Sequence, residues 1–279
     1  MQTRPPGELV RDPRAAQAAL TAVLEPLGSL CVAYSGGVDS SLLLASAAAA
    51  LGVDNVLAFT AASDTYREDE LAEARAFAAR LGVRQVVQQT GELDDADFVG
   101  NPRERCYYCK RVLIDEMRRA AAAAGLAALA DGANRDDLDD FRPGLTAAAE
   151  AGVRHPLIEA GLGKDDVRSL SRLLGLPTWD KPQEACLASR IPYGSPITAA
   201  KLRQVAAAED VLHELGFAQC RVRHHGDIAR VEVEPEQIER AVGESRAELA
   251  RRLRALGFTY VTLDLDGFRS GSMNEMPIP

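Results

Sequence analysis

A short apolar run, Ser29–Tyr34, leads straight into Ser35-Gly36-Gly37-Val38-Asp39-Ser40-Ser41, and an Ala- and Leu-rich stretch follows as far as Leu51. No other feature narrows the fold as much. A buried strand, a glycine-bearing turn and a helix start form one step of a parallel α/β sheet. The glycines let backbone approach an anion closely, and the helix start offers N–H groups without helical partners and the positive end of a dipole. Ser35, Ser40 and Ser41 add hydroxyl donors. Asp39 is out of place in a pure anion site, but fits if it meets a divalent metal or orients a serine. The loop has no Walker-type lysine and lacks the third glycine of the dinucleotide fingerprint, so neither of those nucleotide-binding modes is expected.

The same alternation continues downstream. Asn55–Thr60, Arg84–Gln88 and Leu126–Ala130 read as strands; Ser40–Leu51, Glu68–Leu81, Lys110–Ala124 and Lys164–Leu174 read as helices, the last stopped by Gly175 and Pro177. Asp180–Pro196 is proline-rich and aperiodic, and is expected to be a functional loop and domain boundary. Beyond it the sequence predicts a helix over Thr198–Leu215, strands over Gln219–His224 and Ile228–Val233 turning at Gly226-Asp227, a helix near Pro235–Leu256 and a strand over Tyr260–Leu265. The expected fold is α/β, with a parallel-sheet domain over residues 1–185 and a smaller α+β domain over 186–279.

Composition excludes some classes. With 47% apolar and 26% charged residues over 279 positions, the chain can bury a substantial core. Lys and Arg number 32 and Asp and Glu 41, a net charge of −9. That balance argues against a general nucleic-acid binder, whose surface must be basic. The longest apolar stretches, Leu42–Val53 and Ala120–Ala130, fall short of the roughly 20 residues of a membrane span. Met1–Gly7 has no hydrophobic segment and reads as a flexible leader, so the cytoplasm is the expected compartment.

Five cysteines in such a chain raise thiol chemistry or metal binding before disulfides. Cys106-Tyr107-Tyr108-Cys109 follows Asn101-Pro102-Arg103-Glu104-Arg105, and Cys186 lies in Glu184-Ala185-Cys186-Leu187-Ala188-Ser189-Arg190-Ile191-Pro192-Tyr193-Gly194. A CxxC pair suits zinc, iron–sulfur or redox use. A closed zinc site wants four ligands and only three thiols stand in motifs, whereas three cysteines leave one iron of a 4Fe–4S cluster open. Arg103, Arg105, Lys110 and Arg111 would favour thiolates and offset cluster charge, unless they are simply a solvated helix start. Cys31 and Cys220 read as buried small hydrophobes. Arg221 and Arg223, two apart on a strand with His225 beyond, put two guanidiniums on one face, a suitable arrangement for a phosphate monoester or an exposed charged face. His155 and His213 read as structural, Trp179 as a packing anchor, and Asp136, Asp137, Asp139 and Asp140 as a solvated acidic loop with a minor role toward Mg²⁺.

Ser35-Gly36-Gly37-Val38-Asp39-Ser40 resembles the signature of the PP-loop, or N-type, ATP pyrophosphatases. The resemblance implies an adenine nucleotide alpha hydrolase-like fold and cleavage of ATP between its α- and β-phosphates, with Mg²⁺ as metal. It places pyrophosphate on Ser35, Gly36, Gly37, Asp39 and Ser40, gives Asp39 to Mg²⁺, and extends to nucleotide contacts at Asp131-Gly132-Ala133-Asn134 and to Lys164 near the phosphates. With RCYYCK, ACLASRIPYG and VTLDLDGFRSGSMNE, the chain resembles along nearly its whole length the LarE family of sulfur transferases. That resemblance implies adenylylation of the two carboxylates of pyridinium-3,5-biscarboxylic acid mononucleotide and their conversion to thiocarboxylates, for a nickel-pincer nucleotide cofactor. It also implies substrate-anion binding at Arg190, Arg221 and Arg223, and a homo-oligomer built on the C-terminal domain. Two sulfur sources occur in the family: sacrifice of the cysteine matching Cys186, or a 4Fe–4S cluster on three cysteines, fed by a sulfide donor that the sequence does not name. The chain holds all three matching positions, Cys106, Cys109 and Cys186, which favours the cluster. A PP-loop tRNA thiolase would need a basic RNA-binding face, and a nonenzymatic nucleotide-binding regulator would not need the three cysteines.

Overall fold

The computed structural model describes residues 11–62, 68–139, 142–182 and 186–269. The leader over Met1–Gly7, Asp140, Glu184 and Ala185, and the end of the C-terminal motif from Ser270 lie outside the described residues. Two compact units divide the chain; the first holds residues 11–62, 68–91 and 106–182, the second 92–105 and 186–269.

The first unit opens with helix α1 (Pro13–Leu24), started by proline at its first position and by Asp12, whose carboxylate accepts from the Arg14 N–H at 3.2 Å. Strand β1 (Leu30–Ala33) leads into α2 (Val38–Leu51), then β2 (Val56–Ala62), α3 (Glu68–Leu81) and β3 (Arg84–Gln89). After the short α4 (Ala96–Val99) of the second unit comes α5 (Arg105–Ala123), whose residues from Cys106 onward belong to the first unit. Strand β4 (Ala128–Ala130) and helices α6 (Pro143–Glu150), α7 (Pro156–Glu159) and α8 (Lys164–Leu173) complete it. The four strands are parallel in the order β3-β2-β1-β4, with Leu30 opposite both Val56 and Ala128.

Residues alternate between two cores, as strand geometry requires. Leu30, Val32, Val56 and Ala58 meet α1, α2, α3 and α8, whereas Cys31, Leu57 and Phe59 meet Met117 and Ala121 of α5. Both faces of β1 and β2 are covered, so these strands are nearly continuously apolar, whereas the edge strand β3 keeps Arg84, Gln88 and Gln89 at its ends. The chain runs outward from β1 to β3 and then returns to the other side of β1 with β4. The sheet therefore has a switch point between the C-terminal ends of β1 and β4, the usual ligand position in open α/β sheets.

The second unit contains α9 (Ala199–Glu214), β5 (Cys220–His225), β6 (Ile228–Val233), α10 (Ile238–Val242), α11 (Arg246–Ala255) and β7 (Tyr260–Leu263). β5 and β6 are antiparallel; β6 and β7 are parallel. Val222, Ala229, Val231 and Val233 pack against Ala208, Leu212, Leu249 and Leu253. The alternate positions of β5 and β6 carry charges, so this sheet has one apolar and one polar face. The single helix expected near Pro235–Leu256 is broken: Gly243 interrupts it, and a 3₁₀ turn over Pro235–Gln237 precedes it.

Candidate functional site

The PP-loop motif lies at the switch point. Gly36 takes φ +76°, a region that other residues adopt only with strain, and Gly37 caps α2 without a side chain. Ser40 turns back into the loop: its Oγ donates to the Gly37 carbonyl at 3.2 Å, lies 3.2 Å from Ser35 Oγ, and accepts from the Ser35 N–H at 3.3 Å. No side chain caps the start of α2, which leaves its first N–H groups to face a ligand.

β4 ends at the same place. A Cβ on Gly132 would stand 2.8 Å from the Ser40 backbone nitrogen, so only glycine lets the two chain segments approach this closely. Asn134 Nδ2 donates to Asp39 Oδ1 at 3.2 Å, and Lys164 Nζ, at the start of α8, lies 2.5 Å from Asp39 Oδ2. Lys164 also donates its backbone N–H to Asp136 Oδ2 at 2.8 Å. Ser35, Gly36, Gly37, Asp39, Ser40, Gly132 and Lys164 thus share one corner of the first unit. Asp39 is the oxygen donor suited to Mg²⁺, with a lysine that neutralises it otherwise.

A neighbouring cluster was not legible in the sequence. Asp131 is buried, and its carboxylate meets Lys110 Nζ at 2.6 Å and His155 Nδ1 at 2.7 Å. Burial opposes its charge, yet Lys110 and His155 outweigh that and hold the carboxyl well below the usual range. The neighbouring Asp137 goes the other way: burial raises it, although Asn134 N–H donates to it and Arg142 lies 2.9 Å away. The acidic loop is therefore bonded into the site at Asp136 and Asp137. Lys110, expected beside the thiols, gives its charge to Asp131. Trp179 is about a third exposed, with the Arg172 guanidinium over its ring.

The cysteines separate by environment. Cys31 and Cys220 are buried, and burial pushes the Cys31 thiol up to about 12. Cys106 and Cys186 are exposed and Cys109 half-buried. Cys106 and Cys109 are three apart in the first turn of α5, which begins a turn earlier than the expected Lys110, so both thiols lie on one side of a helix. That spacing and the soft donors fit two ligands of an iron–sulfur cluster. Among the described residues, no group of three His, Cys, Asp or Glu side chains is gathered for a metal ion. Cys186, in the second unit, begins a 3₁₀ turn over Leu187–Arg190.

The three arginines expected at the substrate anion are all buried and engaged in the second unit. Arg190 pairs with Glu209 (Nε–Oε1 2.8 Å, Nη2–Oε2 2.9 Å) and Arg223 with Glu232 (3.0 and 2.8 Å). Arg221 donates to the Cys220 carbonyl and lies 5.1 Å above the Phe268 ring. A further residue missed in the sequence is Asn101, with φ +54°. Its amide donates to the carbonyls of Ile191 (3.2 Å), Pro192 (2.8 Å) and Ser195 (3.0 Å), and Arg105 Nη1 donates to its Oδ1 at 2.8 Å. Arg105 also stacks on Tyr193. The residues before Cys106 therefore grip the residues that follow Cys186.

The parallel sheet, with its switch-point loop over Ser35–Ser40 and an Asp–Lys pair, defines a PP-loop ATP pyrophosphatase. The family model for asparagine synthase matches residues 17–134. A pyridinium-3,5-bisthiocarboxylic acid mononucleotide synthase of Lactiplantibacillus plantarum is 42% identical over 260 residues, 93% of this chain and 94% of that one. An uncharacterized protein of Synechocystis is 46% identical over 88% of this chain and 91% of its own length. An NH(3)-dependent NAD(+) synthetase of Chlorobaculum tepidum shares 37% over 27% of each chain. The chain belongs to the LarE family of ATP-dependent sulfur transferases within the PP-loop enzymes.

Proposed function

We propose that the protein uses ATP to adenylylate the carboxylates of pyridinium-3,5-biscarboxylic acid mononucleotide and converts them to thiocarboxylates for nickel-pincer nucleotide biosynthesis. The observation that carries this reading is the likeness to the L. plantarum synthase along 93% of the chain. The separation of two exposed cysteines and a half-buried one from two buried ones supports it at the level of chemistry.

A carboxylate resists nucleophiles because it is charged and its oxygen leaves poorly. In the first step a carboxylate oxygen attacks the α-phosphorus of ATP, and the bond to the β-phosphate breaks. Ser35, Gly36, Gly37 and Ser40 take up the departing pyrophosphate through N–H and hydroxyl donors, and Lys164 adds positive charge. Asp39 would hold Mg²⁺, which when bound would neutralise phosphate charge. In the second step a sulfur nucleophile attacks the carbonyl carbon and AMP leaves. Cys106, Cys109 and Cys186 are the residues that would hold a 4Fe–4S cluster, the chemistry of which, when bound, would be to deliver sulfide. Arg221 and Arg223 lie on the polar face of β5 and Arg190 pairs with Glu209 beside that strand; an anionic substrate would be drawn by their charge without displacing their buried partners.

Anaerobic purification with iron and acid-labile sulfide assays tests the sulfur source. About four irons per chain, lost in Cys106→Ala, Cys109→Ala and Cys186→Ala, is the expected result. No iron after reconstitution, with a loss of protein mass confined to Cys186 after turnover, would replace the cluster by single-use donation. A salt-sensitive shift of tRNA together with tRNA thiolation would overturn the substrate assignment.

A further inference from the structure

The polar network under Cys186 has a use that anion binding does not explain. Arg190 and Glu209 are 2% and 3% exposed as side chains, and Arg223 and Glu232 are 6% and 0%. A pair that deep is costly to assemble, and its members do not exchange easily for a ligand. In each pair the remaining guanidinium nitrogen turns toward the cysteine turn. Arg190 Nη1 donates to the Cys186 carbonyl at 3.1 Å and to Ser189 Oγ at 3.1 Å, and Arg223 Nη1 donates to the Ser189 carbonyl at 3.2 Å. The Cys186 carbonyl also accepts from the Ser189 N–H at 2.9 Å. Glu209 in turn accepts from the Val222 N–H at 3.0 Å, which ties α9, β5 and the turn into one unit.

We propose that Arg190 and Arg223, braced by Glu209 and Glu232, are positioning residues that fix the backbone at Cys186 and Ser189 so that an otherwise exposed thiol is presented in one direction. The proposal rests on the reading of Cys186 as the sulfur-handling cysteine. A turn of four residues has little order of its own, and a reacting sulfur misplaced by about 1 Å can cost on the order of a hundredfold in rate. The two buried forks supply the rigidity that the turn lacks, and they do so through backbone carbonyls, which leaves the thiol untouched.

The test is the double variant Arg190→Met/Glu209→Gln in the full chain. It removes both charges together, so neither is left buried alone, and the glutamine oxygen still accepts from Val222. Amide hydrogen exchange of the segment 186–191 should quicken about tenfold while β5 and β6 keep their protection. The ratio of thiocarboxylate formed to pyrophosphate released should fall by about tenfold or more. Arg190→Lys, which keeps a cation for Glu209 but not the fork, serves if the double variant does not fold, and should give an intermediate loosening. Unchanged exchange at 186–191 would overturn the clamp. So would an unchanged product ratio with a raised KM for the substrate, which would make Arg190 an anion ligand. The exchange result stands without any assumption about sulfur transfer, so wild-type protein that forms no thiocarboxylate would sink the proposed function and not the clamp.

Discussion

Asp39 and Lys164 lie 2.5 Å apart and lend each other their charge. On the proposed reaction, removing the lysine leaves an unpaired carboxylate where pyrophosphate charge would develop, so Lys164→Ala should lower kcat/KM for ATP by about a hundredfold or more, measured as pyrophosphate release. An effect under about threefold would remove Lys164 from the site. Asp131 is more structural: Asp131→Asn unpairs Lys110 and His155 in a largely buried place and should cost about 3 kcal/mol in urea unfolding at neutral pH. The histidines of β5 set a pH dependence. Burial lowers both His224 and His225 below their ordinary 6.5, and Arg230 and Arg223 add to it at His225. The unfolded chain then takes up protons first on acidification, so stability should fall as pH drops through about 6.5, and a His224→Gln/His225→Gln variant should flatten that slope. A melting temperature level between pH 5.5 and 7.5 in the wild type would contradict this. At this scale the sequence was half legible. The alternation that puts Arg221 and Arg223 on one face can be read from spacing. Their engagement cannot, because Glu232 reaches Arg223 through the register of β5 and β6, and Arg221 lies over Phe268, more than forty residues on.

Elements were read best where one physical signal dominated. β1 and β2 fall within two residues of their expected bounds because a doubly covered parallel strand is nearly continuously apolar, and the edge strand β3 is marked by Val86 and Val87 between polar residues. α1 is not among the helices expected from the sequence, although Asp12 and Pro13 mark its start. α5 was expected from Lys110, yet it runs from Arg105, since Cys and Tyr are weak helix formers and the charge-rich tract masks the cap. That one turn matters, as it turns a CxxC tract into two thiols on a helix face. The contact between β4 and α2 is equally hidden in the sequence, and depends on Gly132. Gly132→Ala must push the start of α2 away from the sheet, since the new methyl would sit 2.8 Å from Ser40 N. It should cost about 1–3 kcal/mol of stability and weaken ATP binding by calorimetry. Unchanged ATP affinity would show that the close approach serves packing alone.

Each of the two units has its own core, and the division does not follow chain order. The expected cut at 185/186 treats each domain as one stretch, whereas residues 92–105 go with the later unit. Their partners explain why this was hidden: Asn101 bonds to Ile191, Pro192 and Ser195, some ninety residues on. Among the described residues no helix is long and apolar enough to cross a membrane. The net charge of −9 fits a small anionic substrate drawn to local arginines better than a polyanion held across the surface. The most direct measurement is mass spectrometry of pyridinium-3,5-biscarboxylic acid mononucleotide after incubation with the anaerobically purified protein, ATP, Mg²⁺ and sulfide. Sulfur-for-oxygen exchange at the carboxylates is expected, matched by AMP and pyrophosphate and absent without ATP or in Cys186→Ala. Unchanged substrate alongside a protein that binds and cleaves ATP would contradict it.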